Sequence, residues 1–271
     1  MKLSYKDTLF ETSSKHRSLD KIIQDIKTGV YKDLVDEIRD SKNKEQADKL
    51  KKQLPTFFVD VVLDGSAKSV SISKSVSSTG IIQFDLDEYD LEKSKKTLQK
   101  INKYPSTLYS FLSPKGGIKF GVMTDFDCND KDTIGHKHKL AYTIVKDEVA
   151  DLLKGYEIDE ATSSVSQTCL LSYDNNAYLN KSAEKLTVNS QVDKNYKGVI
   201  LLAGRSESVL KYILYGEAAE QETKTIIVDG EEVEISTSSI TPYQIFLKAM
   251  EGDKYAKLEQ IIASSSEGIC K

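Results

Sequence analysis

Between residues 18 and 54 the apolar positions Leu19, Ile22, Ile23, Ile26, Val30, Leu34, Val35 and Ile38 recur with a period of about 3.6 residues. That spacing lines one face of an α-helix. Gly29 lies inside the run as a point of interruption, and a charged stretch, RDSKNKEQADKLKKQ, carries it to Leu54-Pro55. Proline lacks a backbone N–H, so the helical pattern ends there. The next residues switch to strand chemistry: TFFVDVVLDG closes on the turn signal Asp64-Gly65, and SVSIS and TGIIQFDLD read as further strands. DLEKSKKTLQKINKY returns to helix, and TLYSFLS and IKFGVMTDF are strands around the turn PKGG. HKHKLAYTIVKDEVADLLKGY reads as an amphipathic helix with Leu140, Ile144, Val145, Val149 and Leu152 inward, and TCLLSYD as a short strand.

This order predicts a mixed α+β domain, with helices interleaved among an antiparallel or mixed sheet. Residues 1–54 read as a helical N-terminal lead-in packed on a core at 55–185. A smaller unit follows at 186–271, made of a hairpin, TKTIIVDGEEVEIS, around Asp229-Gly230 and a helix, ITPYQIFLKAMEGDKYAKLEQIIASS. No internal repeat is visible.

Composition narrows the class. At 39% hydrophobic and 30% charged residues the 271-residue chain is ordinary for a soluble protein. It has no apolar run long enough to span a bilayer, and MKLSYKDTLFETSSKH lacks the apolar stretch of a signal peptide. Cys128, Cys169 and Cys270 share no metal-ligand spacing, so reduced thiols in a cytoplasmic protein are expected, with Cys169 in the core. The net charge of −4 argues against a protein that coats nucleic acid over its whole surface. The charge is uneven, however. Residues 91–119 hold seven lysines against Glu92, whereas residues 215–236 hold seven acids against Lys224. A basic middle can grip a phosphate backbone locally.

The candidate chemistry centres on IIQFDLDEYD. Side chains alternate along a strand, so Asp85 and Asp87 share a face and Leu86 takes the other. Two neighbouring carboxylates repel unless something positive lies between them. Hard divalent cations, Mg²⁺ or Mn²⁺, suit such oxygens, and paired ions can activate a hydroxyl and stabilise a leaving pyrophosphate. On spacing alone, a strand end running into a solvated turn is the commoner explanation. SFLSPKGGIKFGV adds Ser113, Gly116 and Gly117 in a turn whose backbone N–H groups can approach phosphate, with Lys115 and Lys119 adding charge. A plain hairpin turn explains it equally well. YEIDEAT then places Asp159 behind a hydrophobic residue.

In that order, LP…G, SSTGIIQFDLD, SPKGGIK, H…Y…ID and LLSYDNNAYLN resemble the VirE N-terminal-domain family. This family is a branch of the archaeo-eukaryotic primase superfamily, and the resemblance runs from about residue 19 to residue 180. It implies a primase-polymerase-like core with flanking helices. It also implies a metal-dependent nucleotidyltransferase of a phage or mobile element, adding nucleotides to a primer on a template. By the resemblance, Asp85, Asp87 and Asp159 are the catalytic, metal-binding carboxylates for Mg²⁺ or Mn²⁺. Lys119 takes the place where many members carry a phosphate-contacting histidine. Ser113, Lys115, Gly116 and Gly117 form the nucleotide-binding turn before it. The implied partners are nucleoside triphosphates and a single-stranded or primed template. No Walker motif is present, so a helicase would be another polypeptide or a further extension.

The chain departs from the family pattern in two places. The turn is one residue shorter than the usual S-P-S-G-x-G-h-K, and Gln167 stands where an arginine is common. Glutamine cannot brace a phosphate or a carboxylate with charge. A catalytically decayed module of the same fold, binding DNA or a replication partner, is therefore the alternative.

Other features are weighed against simpler roles. Lys93, Lys96, Lys100 and Lys103 share a helical face that can follow a template backbone, although a solvated face is commoner. His136 and His138 open a helix, and a surface or N-terminal capping role is expected of them. Tyr173 and Asp174 are expected to shape the last strand and its turn. LLAGRSES lacks the GK[ST] ending of a phosphate-binding loop.

Overall fold

The computed structural model describes residues 1–11, 13–63, 75–87, 90–203, 223–228 and 231–236. The long apolar stripe near the N-terminus is divided among α1 (Leu19–Thr28), α2 (Lys32–Asp40) and α3 (Lys44–Lys51). Ser18 caps α1 by accepting from the Lys21 N–H, and Gly29 ends it at φ 76°. Few residues other than glycine adopt that conformation cheaply. Val30, the next residue of the stripe, falls outside α1 and is exposed, whereas Leu19, Ile22, Ile23 and Ile26 are buried. Val35, Ile38, Ala47 and Leu54 form a smaller cluster that joins α2 to α3.

The sequence pattern did not reveal two strands, β1 (Lys2–Lys6) and β2 (Lys15–Ser18), which precede α1. They are short and polar in appearance. Even so, Leu3, Ser4, Tyr5 and Lys6 are all buried, because β1 is paired on both sides. The run TFFVDVVL is broken by a bend at Val59-Asp60 into β3 (Thr56–Phe58) and β4 (Val61–Leu63), the latter pairing with β5 (Ser75–Ser78). SVSIS lies outside the described residues. Then come β6 (Ile81–Asp87), α4 (Leu91–Ile101), β7 (Thr107–Leu112) and β8 (Ile118–Met123). They are followed by α5 (Ile134–Glu148), α6 (Ala150–Leu153), β9 (Glu157–Ile158), β10 (Thr168–Leu170), β11 (Tyr178–Leu179) and α7 (Asn189–Ala203).

One sheet has the order β10–β3–β1–β2 and another β11–β7–β8–β6–β9, with antiparallel pairing throughout. This is the mixed α+β class expected from the pattern. Between the sheets a core gathers Leu3, Tyr5, Phe57, Val59, Ile81, Tyr109, Phe111 and Cys169 with the buried face of α1. Cys169 is fully buried there, as expected, and burial pushes its thiol up to about 12. On the opposite face of the second sheet Phe84 stacks on Phe120 with ring centroids 5.1 Å apart, and meets Tyr142 of α5 at 5.0 Å. Of the five residues expected inward along α5 and α6, Leu140, Val145 and Val149 are buried. Ile144 and Leu152 are only half-buried, and His138 and Tyr142 point inward instead.

Gly121 of β8 shows how tightly this sheet is packed. A Cβ built there overlaps the Tyr109 ring and comes within 2.9 Å of Ile81 Cγ2. Gly121→Ala is expected to cost about 1–3 kcal/mol through overpacking, read as a lower urea midpoint at unchanged slope.

The chain divides into compact units at residues 1–192 and 193–271. In the second unit, β12 (Thr223–Val228) and β13 (Glu231–Ser236) pair antiparallel with Val228 opposite Glu231. That is the hairpin read from TKTIIVDGEEVEIS. The expected helix of residues 240–265 and most of LLAGRSES lie outside the described residues. Among the described residues no helix is long and apolar enough to cross a membrane.

Candidate active site

β6 is anchored by its apolar residues: Ile81, Ile82, Phe84 and Leu86 are fully buried. Alternation places Gln83, Asp85 and Asp87 on one face. β8 lies on one side of β6, with Lys119 opposite Asp85 and Ile118 opposite Leu86. β9 lies on the other, with Glu157 opposite Asp87. Asp159, the residue after β9, donates its backbone N–H to the Asp85 carbonyl at 2.9 Å. The turn joining β7 to β8 lies at this same end of the sheet, because Leu86, Ile118 and Leu112 are consecutive partners. Segments far apart in sequence thus bring Asp85, Asp87, Asp159 and the glycine turn to one sheet end.

Each side chain has a defined setting. Asp85 is partly buried and forms an ion pair with Lys119, whose side chain is only 11% exposed. Burial alone pulls the Lys119 ammonium down, but the Asp85 charge, with Asp159 adding to it, leaves the ammonium above its usual value. Asp87 is exposed at the strand end. Burial of part of its carboxyl raises its pKa, and the negative charges of Asp85, Asp159 and Glu157 raise it further, against Lys119. Asp159 is half-buried and caps a 3₁₀ turn, Glu160–Ser163, by accepting from the Ala161 N–H at 2.9 Å. The last acid of IIQFDLDEYD, Asp90, caps α4 by accepting from the Glu92 and Lys93 N–H groups.

The Asp87 shift has a measurable consequence. A carboxyl whose folded pKa is raised adds stability that is present below its unfolded pKa and lost as pH rises through the folded one. At neutral pH ionised Asp87 therefore opposes folding. Asp87→Asn is expected to raise Tm at pH 7 by roughly 1–2 °C after solvent screening, with the gain vanishing below about pH 4. Thermal unfolding across that range checks it.

The glycine turn is closed on itself. The Ser113 N–H donates to the Gly117 carbonyl at 2.7 Å, the Gly116 N–H donates to the Ser113 carbonyl at 2.9 Å, and Gly116 has φ 92°. Two of the amides expected to face phosphate are therefore used inside the turn. Lys115 reaches away to Asp48 of α3, with Nζ 3.1 Å from Oδ1. Arg39 of α2 donates to the carbonyls of Ser113 at 3.1 Å and Tyr173 at 2.9 Å. Asp174 accepts from the Leu112 N–H at 2.9 Å, so Tyr173 and Asp174 do shape this corner.

Lys93, Lys96, Lys100 and Lys103 are all exposed along α4 and its end. Lys93 lies over the Tyr156 ring at 4.5 Å. Gln167 accepts at its carbonyl from Gln83 Nε2 at 3.5 Å, which places it next to the carboxylate face of β6. The expectation for the histidines holds only for His136, which is exposed. His138 is fully buried, with Nε2 3.2 Å from Asp60 Oδ1 and Nδ1 3.1 Å from the Ser163 carbonyl. The residue four positions after Ile134 returns to the same inward face one turn on, and here that position meets a buried carboxylate rather than solvent.

The sequence reading missed Arg39, Asp48, Lys51 and Asp60, and gave His138 a surface or capping role that its burial contradicts. The three-residue spacing of Asp48 and Lys51 in KEQADKLK would have placed those two on one helical face. What that face meets is a tertiary fact. Among the described residues no three His, Cys, Asp or Glu side chains are gathered closely enough to hold a metal ion. The donor chemistry nonetheless fits a hard divalent cation: neighbouring carboxylates, one of them with its charge disfavoured by the others.

Residues 49–179 match the family model described as BT4734-like, N-terminal domain. That span runs from the end of α3 to β11 and takes in Asp85, Asp87, Asp159, Lys115 and Lys119, while Asp48 lies just before it. No curated protein and no solved structure matches the chain.

Proposed function

We propose that the chain is a nucleotidyltransferase domain of the primase-polymerase type, resembling the VirE N-terminal-domain branch. On this reading it adds nucleotides to a primer on a template, as part of a phage or mobile-element replication system. The observation that carries the reading is the placement of Asp85, Asp87 and Asp159, with Lys119 and the glycine turn, at one sheet end. Asp85, Asp87 and Asp159 would hold Mg²⁺ or Mn²⁺, which when bound supplies Lewis-acid stabilisation of the transferring phosphoryl group. Lys119 orients the Asp85 carboxylate and holds positive charge beside the turn. The lysine face of α4 begins just past Asp87 and offers exposed cations for a template backbone, each contact adding salt dependence. The test is incorporation of nucleotides on a primed template with Mn²⁺. Absence of any incorporation overturns the reading.

A second reading is a binding module of the same fold without chemistry. Gln167 beside the carboxylate face and Lys119 occupying Asp85 favour it. Calorimetry separates the two readings. Metal-dependent nucleotide binding supports transfer, and DNA binding indifferent to nucleotide and metal supports the module.

A further inference from the structure

We infer that Lys51 and Lys115 are a clamp for the polyphosphate chain of a nucleoside triphosphate, with Asp48 occupying Lys115 until that anion arrives. The inference rests on the transfer reading above and names two residues, Lys51 and Asp48, that the sequence did not point to.

Asp48 meets the β7–β8 turn through its 3.1 Å contact with Lys115, and Lys51 lies three residues on, on the same side of α3. Lys51 is half-buried at the end of α3, within electrostatic reach of Lys115, Lys119, Asp48 and Asp85. Lys119 is committed to Asp85, and Lys115 to Asp48. Among the described residues Lys51 forms no ion pair, although a lysine that gives up solvent usually gains a carboxylate. Burial and the neighbouring Lys115 charge both push its ammonium below the usual lysine value. Lys115 and Lys119 lie within electrostatic reach of Lys51, and Lys51 has no ion-pair partner among the described residues, an arrangement that an anion stabilises.

The geometry also indicates what kind of anion. Asp48 already supplies a single negative charge to Lys115, so another monoanion gains little by replacing it. A polyphosphate brings several charges and enough length to touch both Lys51 and Lys115. The turn that would receive it is fixed in place, since Arg39 holds the Ser113 carbonyl from α2. The Lys115–Asp48 pair is partly exposed on both sides and can exchange at small cost. Asp85 and Asp87 lie at the same sheet end, where a bound triphosphate would present its reacting phosphorus to them.

The test titrates sodium tripolyphosphate into the full chain without divalent metal, by calorimetry at low salt. The wild type is expected to bind. Lys51→Gln, which keeps the aliphatic stem, is expected to weaken binding about tenfold or more, the worth of one charge-assisted contact. Asp48→Asn, which frees Lys115, is expected to tighten it severalfold. Matching thermal unfolding shows that the variants fold. If Lys51→Gln does not fold, the Asp48→Asn arm decides, and unchanged affinity there overturns the proposal. So does an absence of wild-type binding, equal binding by Lys51→Gln, or a Lys51 effect seen only with an oligonucleotide. Lys51-dependent binding without nucleotide incorporation would overturn the transfer reading alone. Incorporation with an unchanged nucleotide KM in Lys51→Gln would overturn this clamp alone.

Discussion

Asp85→Ala/Asp87→Ala is expected to lower nucleotide incorporation by at least about a thousandfold, or some 4 kcal/mol of transition-state stabilisation. The reason is positional. Asp85 is partly buried on a strand whose apolar residues are fully buried, so its carboxylate cannot be replaced by a neighbour moving in. Asp87, two residues on, is the exposed member whose charge is disfavoured by Asp85 and Asp159. The double variant carries a confounding effect, because removing Asp85 strands the charge of Lys119 in a site only 11% exposed. Two single variants separate folding from chemistry. Asp85→Asn keeps an oxygen for Lys119, and Asp87→Ala lies at the exposed end. Both are expected to stay folded and to lose most incorporation. Wild-type rates in both, measured on a primed template with Mn²⁺, would remove these carboxylates from the chemistry.

The largest stability effect is expected at His138. A carbonyl can only accept, so the Nδ1 facing the Ser163 carbonyl carries a proton. Nε2 then faces Asp60 Oδ1 at 3.2 Å, poorly aligned for a hydrogen bond, with both side chains fully buried. Asp60 also accepts from the Gln83 N–H at 3.0 Å. Burial pushes the Asp60 carboxyl up, and His138 opposes that rise. His138→Ala removes the ring that faces Asp60 and donates to the Ser163 carbonyl, leaves a cavity beside Phe126, and is expected to cost about 3–5 kcal/mol in urea unfolding. The same change reaches the candidate active site. Ser163 ends the 3₁₀ turn that Asp159 caps, and Tyr142 holds Thr162 of that turn at 3.0 Å. Incorporation should therefore fall even where the protein remains folded. Stability equal to wild type would show that the pair is not a structural support.

Several features were legible along the chain because they depend on local periodicity. The alternation of IIQFDLD put Asp85 and Asp87 on one face, and their register against Lys119 and Glu157 agrees with it. The hairpin around Asp229-Gly230 and the strands flanking PKGG were readable in the same way. β1 and β2 were not, because KLSYK and KHRS carry little apolar pattern. Their strand character comes from pairing with β3 and with each other.

The lysines illustrate the same boundary. The sequence placed Lys119 near the carboxylates but not against Asp85, since cross-strand register depends on the whole sheet. It placed Lys115 in a glycine turn but could not show that Asp48 of a distant helix claims it. His138 had the spacing of a capping or surface residue, yet the bend at Val59-Asp60 puts a buried carboxylate beside it. By itself the sequence determined the α+β class, the two-carboxylate strand and the turn beside it, because each follows from neighbours a few residues apart. Only the tertiary structure decided which polar groups meet, because the ion pairs Lys119–Asp85 and Lys115–Asp48 and the His138–Asp60 contact join segments that only packing brings together.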